Sequence, residues 1–393
     1  MPLLRKTSLI SLALVLLAAI YLIRHVYLVS GPRYLYGQDG LLYNPDLFSP
    51  GTVKPAGQNY SRVLVMGHLR SEDVSWVATE LPDLPTKIYT VDAEEDANEE
   101  SASTSTSDSG SGSGSPSGLP ANKGHEAMVY LTYIIEHYDA LPDVVLFFHP
   151  HRKTWHNNIL LDVDSATTIK LLSDAHVVRQ GYFNTRCHLD PGCPDWLHVD
   201  RPWWRHDLKH KPEEPAWTSA LFHALHGADV PIPKAISQPC CAQFAVSGER
   251  IRQRPRADYV RYRDWLLATD LDDRTSGRIM EYSWQYIFTG KFEFCPSQHR
   301  CYCDGYGICF DGERGLQTWL DTVKEKENID RKLVGVWDHG GNFAAEKYKR
   351  LARDRKHLAD LLDSMREQAL RRGFDPKTRA EECGREWHEG DGF

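Results

Sequence analysis

An excess of positive charge is missing from this chain. Its 393 residues include 46 Lys and Arg against 54 Asp and Glu, which gives a formal net charge of −8 at pH 7. A surface that binds nucleic acid through its phosphate groups usually carries a basic patch or stripe. We therefore do not expect nucleic acid to be a partner.

The chain also lacks the local signatures of several common enzymes. It contains no G-x-S-x-G nucleophile elbow, no P-loop and no H-E-x-x-H metal motif. Each of these motifs holds the groups that one reaction needs at a set spacing. Serine hydrolases, P-loop kinases and zincins therefore have no local support in the sequence.

Long apolar runs are rare, and the one clear example lies near the N-terminus. Residues 7–23 read TSLISLALVLLAAIYLI and follow the basic pair Arg5-Lys6. A helix over residues 7–29 is long enough to cross a hydrocarbon core of about 30 Å. We predict a cytoplasmic tail (1–6), a single-pass anchor (7–29) and a stem (30–60), with the body in the lumen of the ER or Golgi. A cleaved signal peptide is the alternative, and it delivers the body to the same compartment.

Cysteine usage agrees with an oxidising compartment. Eight of the nine cysteines fall between residues 187 and 309, and Cys383 lies apart. An even group in a luminal protein is typical of disulfides, so we predict a bond between Cys187 and Cys193 and leave the other pairings open. A zinc site is the weaker alternative because the spacing lacks paired C-x-x-C steps. Its ligands would be Cys295, Cys301, Cys303 and Cys309.

Alternating strand and helix patterns follow the stem. Short apolar runs predict buried strands, and apolar residues at a period of 3.6 predict helices between them. This order is typical of βαβ units, so we predict an α/β domain over residues 61–311 with a mostly parallel sheet flanked by helices. The predicted strands are 62–68, 87–91 and 144–148, and the predicted helices are 72–81 and 124–138.

A polar insertion interrupts this domain. Residues 93–120 are rich in Ser, Gly and acidic residues and contain almost no apolar side chain. Such a segment cannot bury enough surface to offset its ordering entropy, so we predict that it is disordered. Its Ser and Thr residues suit O-glycans, and the sequon Asn59-Tyr60-Ser61 suits an N-glycan, as expected for a luminal protein.

The remaining elements complete the domain and the C-terminal region. A strand at 242–246 leads into a basic helix, and a helix at 276–288 takes Thr275 or Ser276 as its N-cap. The region 312–393 is predicted to hold a charged helix over 344–371. The arginines of the basic helix are Arg250, Arg252, Arg254 and Arg256.

Three histidines follow the most apolar strand. In open α/β sheets, ligands bind outside the carboxyl ends of the central strands. Imidazoles there can ligate divalent metals, carry protons or bind phosphate oxygens. We predict His149 and His151 as catalytic groups and metal ligands, and Trp155 and His156 as substrate-binding residues. A loop of surface histidines is the alternative.

The start of the helix at 124–138 is a second candidate site. A helix N-terminus offers unpaired N–H groups and a partial positive charge that can hold a phosphate. Asn122, Lys123 and Glu126 lie at this turn and are predicted to bind substrate. A capping role for Asn122 is an alternative that does not exclude a phosphate.

A third candidate lies on the helix at 276–288. Arg278 and Glu281 share one face at the i, i+3 spacing. An ion pair between them is the simpler interpretation. The functional one assigns Glu281 as general base and Arg278 to substrate binding.

Residues 121–157, 240–255 and 276–290 together resemble a fungal family known as domain of unknown function 3431. The resemblance covers roughly residues 62–310 and brings no established activity. A more distant resemblance is to GT-A glycosyltransferases, which use a nucleotide-sugar-binding α/β sheet and are usually single-pass type II proteins of the Golgi. In those enzymes a strand-end Asp-x-Asp triplet holds Mn²⁺ against the donor diphosphate. The matching residues here are His149 and His151.

The resemblance implies a GT-A-like (Rossmann-like) domain that transfers a sugar from a nucleotide-sugar donor to a glycan or glycoprotein, with Mn²⁺ as the implied metal. A non-catalytic, disulfide-stabilised luminal module that binds carbohydrate or protein is the alternative from another class. A metal-dependent hydrolase built on the same histidines is a third.

Overall fold

The computed structural model describes residues 48–92, 118–193, 197–199, 217–337 and 342–391. The predicted tail and anchor, most of the stem and most of the polar insertion lie outside these ranges. None of the described helices has the length and apolar character needed to cross a membrane. The described residues belong to one compact unit, Asp39–Phe393.

One five-stranded sheet organises the described residues, with the spatial order β2-β1-β3-β5-β4. The predicted bounds of β1 and β3 are confirmed, whereas β2 lies one residue earlier and β5 lies further along the chain than predicted. The apolar run located β3 because a strand buried on both faces needs apolar residues throughout, whereas β1 is fully buried only at its centre. The strands are β1 (Arg62–His68), β2 (Thr86–Thr90), β3 (Val144–Phe148), β4 (Tyr182–Asn184) and β5 (Phe244–Ser247).

The prediction of a mostly parallel sheet is confirmed only in part, because the sheet is mixed. β1 pairs in parallel with β2 and β3, but β5 runs antiparallel to both β3 and β4. β4 ends at the same edge as β3, and β5 starts at that edge. A parallel arrangement would require the chain to cross back to the opposite edge first.

The helices pack on both faces of this sheet. They are α1 (Ser75–Glu80), α2 (Glu126–His137), α3 (Ser165–Leu171), α4 (Asp174–Gln180), α5 (Ser219–His226), α6 (Gly248–Arg252), α7 (Arg256–Ala268), α8 (Asp273–Glu281), α9 (Trp284–Thr289), α10 (Gln298–Tyr306), α11 (Glu313–Trp337), α12 (Asn342–Gly373) and α13 (Pro376–Glu382). Two short 3-10 turns cover Tyr138–Ala140 and Ile159–Leu161.

Alternate residues of the strands enter two separate cores. Val145 and Phe147 of β3 pack in the core that contains α2, α7 and α9. Leu146 and Phe148 pack in the core that contains α3, α4 and α10. This alternation follows from the two-residue period of a strand. The helix α2 lies close to the sheet at Gly67, where an added Cβ would be 2.8 Å from Cγ2 of Val129.

Two predicted helices are each divided in the structure. The basic helix breaks before Pro255 into α6 and α7, and residues 276–288 are split between α8 and α9. The second break lies at Ser283. Its hydroxyl donates to the carbonyl oxygen of Ile279 at 2.7 Å and competes with the helical backbone hydrogen bonds for that oxygen. The predicted N-cap of α8 is also wrong. Asp272 caps it by accepting from the N–H of Thr275 at 2.7 Å.

The C-terminal region contains a helical hairpin. The predicted charged helix is confirmed as α12, and α11 is an additional helix that the sequence reading missed. The two run antiparallel, since Trp319 Nε1 donates to the carbonyl oxygen of Leu362 and Arg355 pairs with Asp330.

Candidate functional site

The candidate site lies at the edge of the sheet where β1, β3 and β4 end and β5 begins. Two helices also reach this edge. The helix α2 starts there, and α8 ends there with Glu281 hydrogen-bonded to Cys241, which precedes β5. Strand ends gather loops at such an edge, and loops can carry polar groups that a buried strand cannot. We call this region the strand-end site, and its residues come from five separate segments of the chain.

His149, the first residue after β3, is held by the chain that enters β5. Its Nε2–H donates to the carbonyl oxygen of Cys241 at 2.6 Å, and its backbone N–H donates to Oε1 of Gln243 at 3.2 Å. Because a carbonyl only accepts, Nε2 carries the ring proton and Nδ1 has the lone pair. Burial lowers the pKa of His149, so the ring is a neutral imidazole near pH 7.

The predicted clustering of imidazoles is confirmed for His149 and His156. Their ring centroids are 5.3 Å apart. Burial, together with the nearby His149 and Arg186, lowers the pKa of His156 to about 4. Its Nδ1 is buried and has no hydrogen-bond partner among the described residues. His151 points elsewhere, since its exposed ring has Nε2 3.3 Å from Oε1 of Glu72.

Trp155 is the large exposed side chain of this loop. Trp155 is 62% exposed, whereas tryptophan is highly buried on average. The ring packs edge-on against His156 and lies over the guanidinium of Arg186, 5.2 Å from the ring centroid. The ring is therefore fixed on one side while it stays accessible to a ligand.

Glu281 is buried at the end of α8. One carboxylate oxygen accepts from the backbone N–H of Cys241 at 2.5 Å, and the other lies 2.9 Å from Nη1 of Arg278. The expected ion pair between Arg278 and Glu281 is therefore present. The same carboxylate ties α8 to the segment that also holds His149.

The charge of Glu281 acts on Glu126 at the start of α2, and we call these two residues the acidic pair. Burial raises the pKa of Glu126 to about 7, and the negative charge of Glu281 adds to the shift, whereas its own backbone N–H acts in the opposite direction. At neutral pH this carboxyl group therefore exchanges a proton readily. The sequence reading missed this pairing, because the two residues lie far apart in the chain.

Asn122 and Lys123 make no described contact with the imidazoles. Lys123 Nζ donates to the carbonyl oxygen of Thr269, in the connection between α7 and α8. Asn122 is exposed and does not cap α2; the cap position is occupied by His125, which makes no capping side-chain bond. His125 instead pairs with Asp273 at 3.0 Å. The described contacts thus give no phosphate cradle at this turn.

Arg186 is a further residue of the site that the sequence reading missed. It follows β4, is 6% exposed, and donates through its terminal nitrogens to the carbonyl oxygens of Trp155, His156 and Asp190 at 2.8 to 2.9 Å. The only sequence signal is its position two residues beyond a short strand.

Residues 64–304 match the family described as Protein of unknown function (DUF3431). The chain belongs to this family. The matched DUF3431 segment contains the strands β3, β4 and β5 and every residue of the strand-end site named above. No match to the chain was found among curated proteins or among solved structures.

The disulfides of this DUF3431 protein differ from the predicted pairing. The predicted bond between Cys187 and Cys193 is wrong. Each of these cysteines instead bonds to a partner more than a hundred residues further along the chain. The zinc alternative is also wrong, because all four of its cysteines are in disulfides. The bonds are Cys187–Cys301, Cys193–Cys295, Cys240–Cys241 and Cys303–Cys309.

The implied Mn²⁺ does not fit the predicted ligands. Among the described residues, no group of three closely spaced ligand atoms includes His149 or His151. His149 uses Nε2 on a carbonyl and His151 faces Glu72, whereas Mn²⁺ favours carboxylate oxygens. The two groups with suitable spacing each contain a disulfide, which offers no thiolate.

An Asp-x-Asp triplet does occur in the DUF3431 segment, at Asp162-Val163-Asp164, but its carboxylates have other partners. Asp164 caps α3 through the N–H of Thr167 and pairs with Arg152 at 2.9 Å. Asp162 forms a two-bond ion pair with Arg366 of α12. Both carboxylates therefore stabilise the fold.

Proposed function

We propose that this DUF3431 protein is a glycosyltransferase-like enzyme of the secretory-pathway membrane, with its body in the lumen of the Golgi or ER. It transfers a sugar from a nucleotide-sugar donor to a glycan or glycoprotein. The observation that carries the proposal is the acidic pair Glu126–Glu281 beside neutral imidazoles at the carboxyl edge of the sheet.

Glu126 suits the role of general base. A base works best when its pKa is near the operating pH, and the value of about 7 meets that condition. As the acceptor oxygen bonds to the anomeric carbon, its proton passes to Glu126, and the bond from that carbon to the donor diphosphate breaks. Glu281, held by Arg278 and Cys241, keeps the negative charge beside Glu126 that raises its pKa.

The other side of the site suits the donor. The exposed ring of Trp155 offers a flat apolar face on which a sugar or a base can stack. His156 is a neutral imidazole whose Nδ1 has no partner among the described residues, so it can donate one hydrogen bond to a leaving-group oxygen in the tautomer that carries the proton there. His149 lies beside it and is held in place by its bond to Cys241. His151, paired with Glu72, lies at the rim.

The luminal placement has its own support. Four disulfides among the described residues suit an oxidising compartment. Asn59 of the sequon is exposed, as an N-glycan requires. The apolar segment 7–29 supplies the proposed anchor.

The test is turnover with a panel of nucleotide sugars and glycan acceptors, followed as release of nucleoside diphosphate from the full chain. Glu126→Gln keeps the shape of the side chain and should lower the rate at least about 100-fold. Glu136→Gln is the matched control, because Glu136 is exposed on the same helix α2 and should leave the rate unchanged. Equal rates for both variants would remove Glu126 from the chemistry.

A non-catalytic luminal binding module is the second candidate. Two contacts favour it, because His149 and Glu281 both hydrogen-bond the backbone of Cys241. Both side chains can therefore serve to stabilise the fold without a role in catalysis. Binding of glycans without release of nucleoside diphosphate from any donor would support this candidate over the enzyme.

A further inference from the structure

We propose that the strand-end site holds the donor diphosphate with the fixed charge of Arg186, beside Trp155 and His156, in place of a Mn²⁺ ion. The inference rests on the proposed transferase function and names the group that neutralises its donor. It begins from a mismatch, because the strand-end triplet of this chain contributes imidazoles where a metal site would need carboxylates.

The charge of Arg186 is buried without a direct counter-ion. Its guanidinium makes three hydrogen bonds, all to backbone carbonyls, and its buried Nε has no partner. No carboxylate of the described residues lies within ion-pairing distance, and Asp190 and Glu281 act on it only at longer range. A buried charge is costly unless an opposite charge compensates it. An anion at this position would supply that compensation.

The histidines near Arg186 are neutral. Burial, with the Arg186 charge adding to it, lowers the pKa of His156 and of His188 to about 4. Both rings are therefore neutral near pH 7, so neither adds a charge next to the guanidinium. The unpartnered Nδ1 of His156 can donate to a phosphate oxygen in the tautomer that carries the proton there.

Trp155 links this charge to the accessible surface. Its exposed ring lies over the guanidinium, and its carbonyl oxygen accepts from Nη1 of Arg186. A nucleotide base or sugar stacked on the free face of the ring would bring an attached diphosphate to the part of the surface nearest this positive charge. The acidic pair Glu126–Glu281 belongs to other elements, the helices α2 and α8, so the proposed donor and acceptor groups come from different segments of the chain.

The experiment measures the binding of UDP, GDP, CDP and inorganic pyrophosphate to the full chain by calorimetry in EDTA, and again with Mn²⁺. At least one nucleoside diphosphate should bind in EDTA, and Mn²⁺ should change its Kd less than threefold. Arg186→Gln should raise that Kd about tenfold or more. The Kd of the matching nucleoside should not change, because a nucleoside lacks the charged group.

Two further variants separate charge from structural support. Arg186→Lys retains the charge, so it should recover affinity at low salt, and the dependence of Kd on salt should be steeper than in Arg186→Gln. If Arg186 only clamped the loop, the two variants would bind equally poorly and lose the nucleoside as well. Arg62→Met is the matched control, because Arg62 is a partly buried arginine paired with Asp174 at the opposite edge.

The outcomes are distinguishable. Binding that appears only with Mn²⁺, or an unchanged Kd in Arg186→Gln, would overturn the inference and leave the transferase proposal standing. The absence of binding by every nucleoside diphosphate, with and without Mn²⁺, would overturn both.

Discussion

The carboxylate of Glu281 accepts a hydrogen bond of 2.5 Å from the backbone N–H of Cys241, although the two residues belong to separate elements. Cys241 has a positive φ of 89°, a conformation that is uncommon for residues other than glycine. Since the carbonyl of the same residue accepts from His149, one residue of irregular backbone connects the end of β3 with the end of α8. This connection positions the imidazole and the acid at a common site.

Glu281→Gln should destabilise the protein by about 2 kcal/mol, because it replaces a charged acceptor and removes the ion pair between Glu281 and Arg278. The free energy of unfolding can be measured by urea titration with tryptophan fluorescence. The exposed pair of Glu346 and Lys349 provides the control, and Glu346→Gln there should change stability by less than about 0.5 kcal/mol. A neutral result at Glu281 would mean that its contacts do not hold the site.

Glu126→Gln should alter how stability depends on pH. The folded-state pKa of about 7 exceeds the ordinary value of 4.5, so Glu126 binds its proton more tightly when folded. Its contribution to stability is therefore complete below about pH 4.5 and is lost as the pH rises through 7. The wild type should lose about 1 to 2 kcal/mol relative to the variant over this range, after allowance for solvent screening.

The measurement is the difference in unfolding free energy between Glu126→Gln and wild type from pH 4.5 to 8. The comparison with the variant is needed because the buried histidines change the unfolding free energy with pH in the opposite direction. His156 and His226, with pKa values of about 4 and about 3, make the fold more stable as the pH rises toward 6.5. A difference that does not vary with pH would contradict the raised pKa of Glu126.

Asp304→Asn should loosen the C-terminal segment. Burial opposes ionisation of Asp304, but His176, Arg385 and Arg179 outweigh it and hold its pKa well below the ordinary value. Removing the carboxylate would break its buried ion pair with Arg385 and its hydrogen bond with His176, at a cost of about 3 to 5 kcal/mol. Thermal unfolding and limited proteolysis near residue 385 would detect the change. Asp311→Asn, at an exposed pair with Arg372, should have little effect.

Non-reducing peptide mapping should recover four disulfides and a free Cys383. The double variant of Cys187 and Cys301 to Ala should lower the free energy of unfolding by about 2 to 5 kcal/mol, because that bond closes a long loop. The bond Cys303–Cys309 joins residues only six positions apart in sequence, so its removal should cost less. Recovery of a Cys187–Cys193 peptide would contradict the fold around β4.

Part of the strand-end site could be read from the sequence. The loop that directly follows the apolar strand β3 contains His149, Trp155 and His156. Because β3 ends at the carboxyl edge of the sheet, this loop was expected at that edge. Arg278 and Glu281 lie one helical turn apart, so their ion pair was also foreseeable. Lys123 was placed at the right helix end, but its contact with Thr269 depends on how α7 and α8 pack there.

The sequence by itself determined β3, because a strand buried on both faces is apolar at every position, and it located β1 from the apolar centre of that strand. It also determined α2, because a helix that is buried on nearly all sides is apolar along most of its length. Only the tertiary structure decided the direction of β5, the disulfide pairing, the acidic pair Glu126–Glu281 and the place of Arg186 beneath Trp155. Each of these depends on which distant segments meet. A local pattern records the environment of a residue, whereas it carries no information about the partner that the folded chain brings to it.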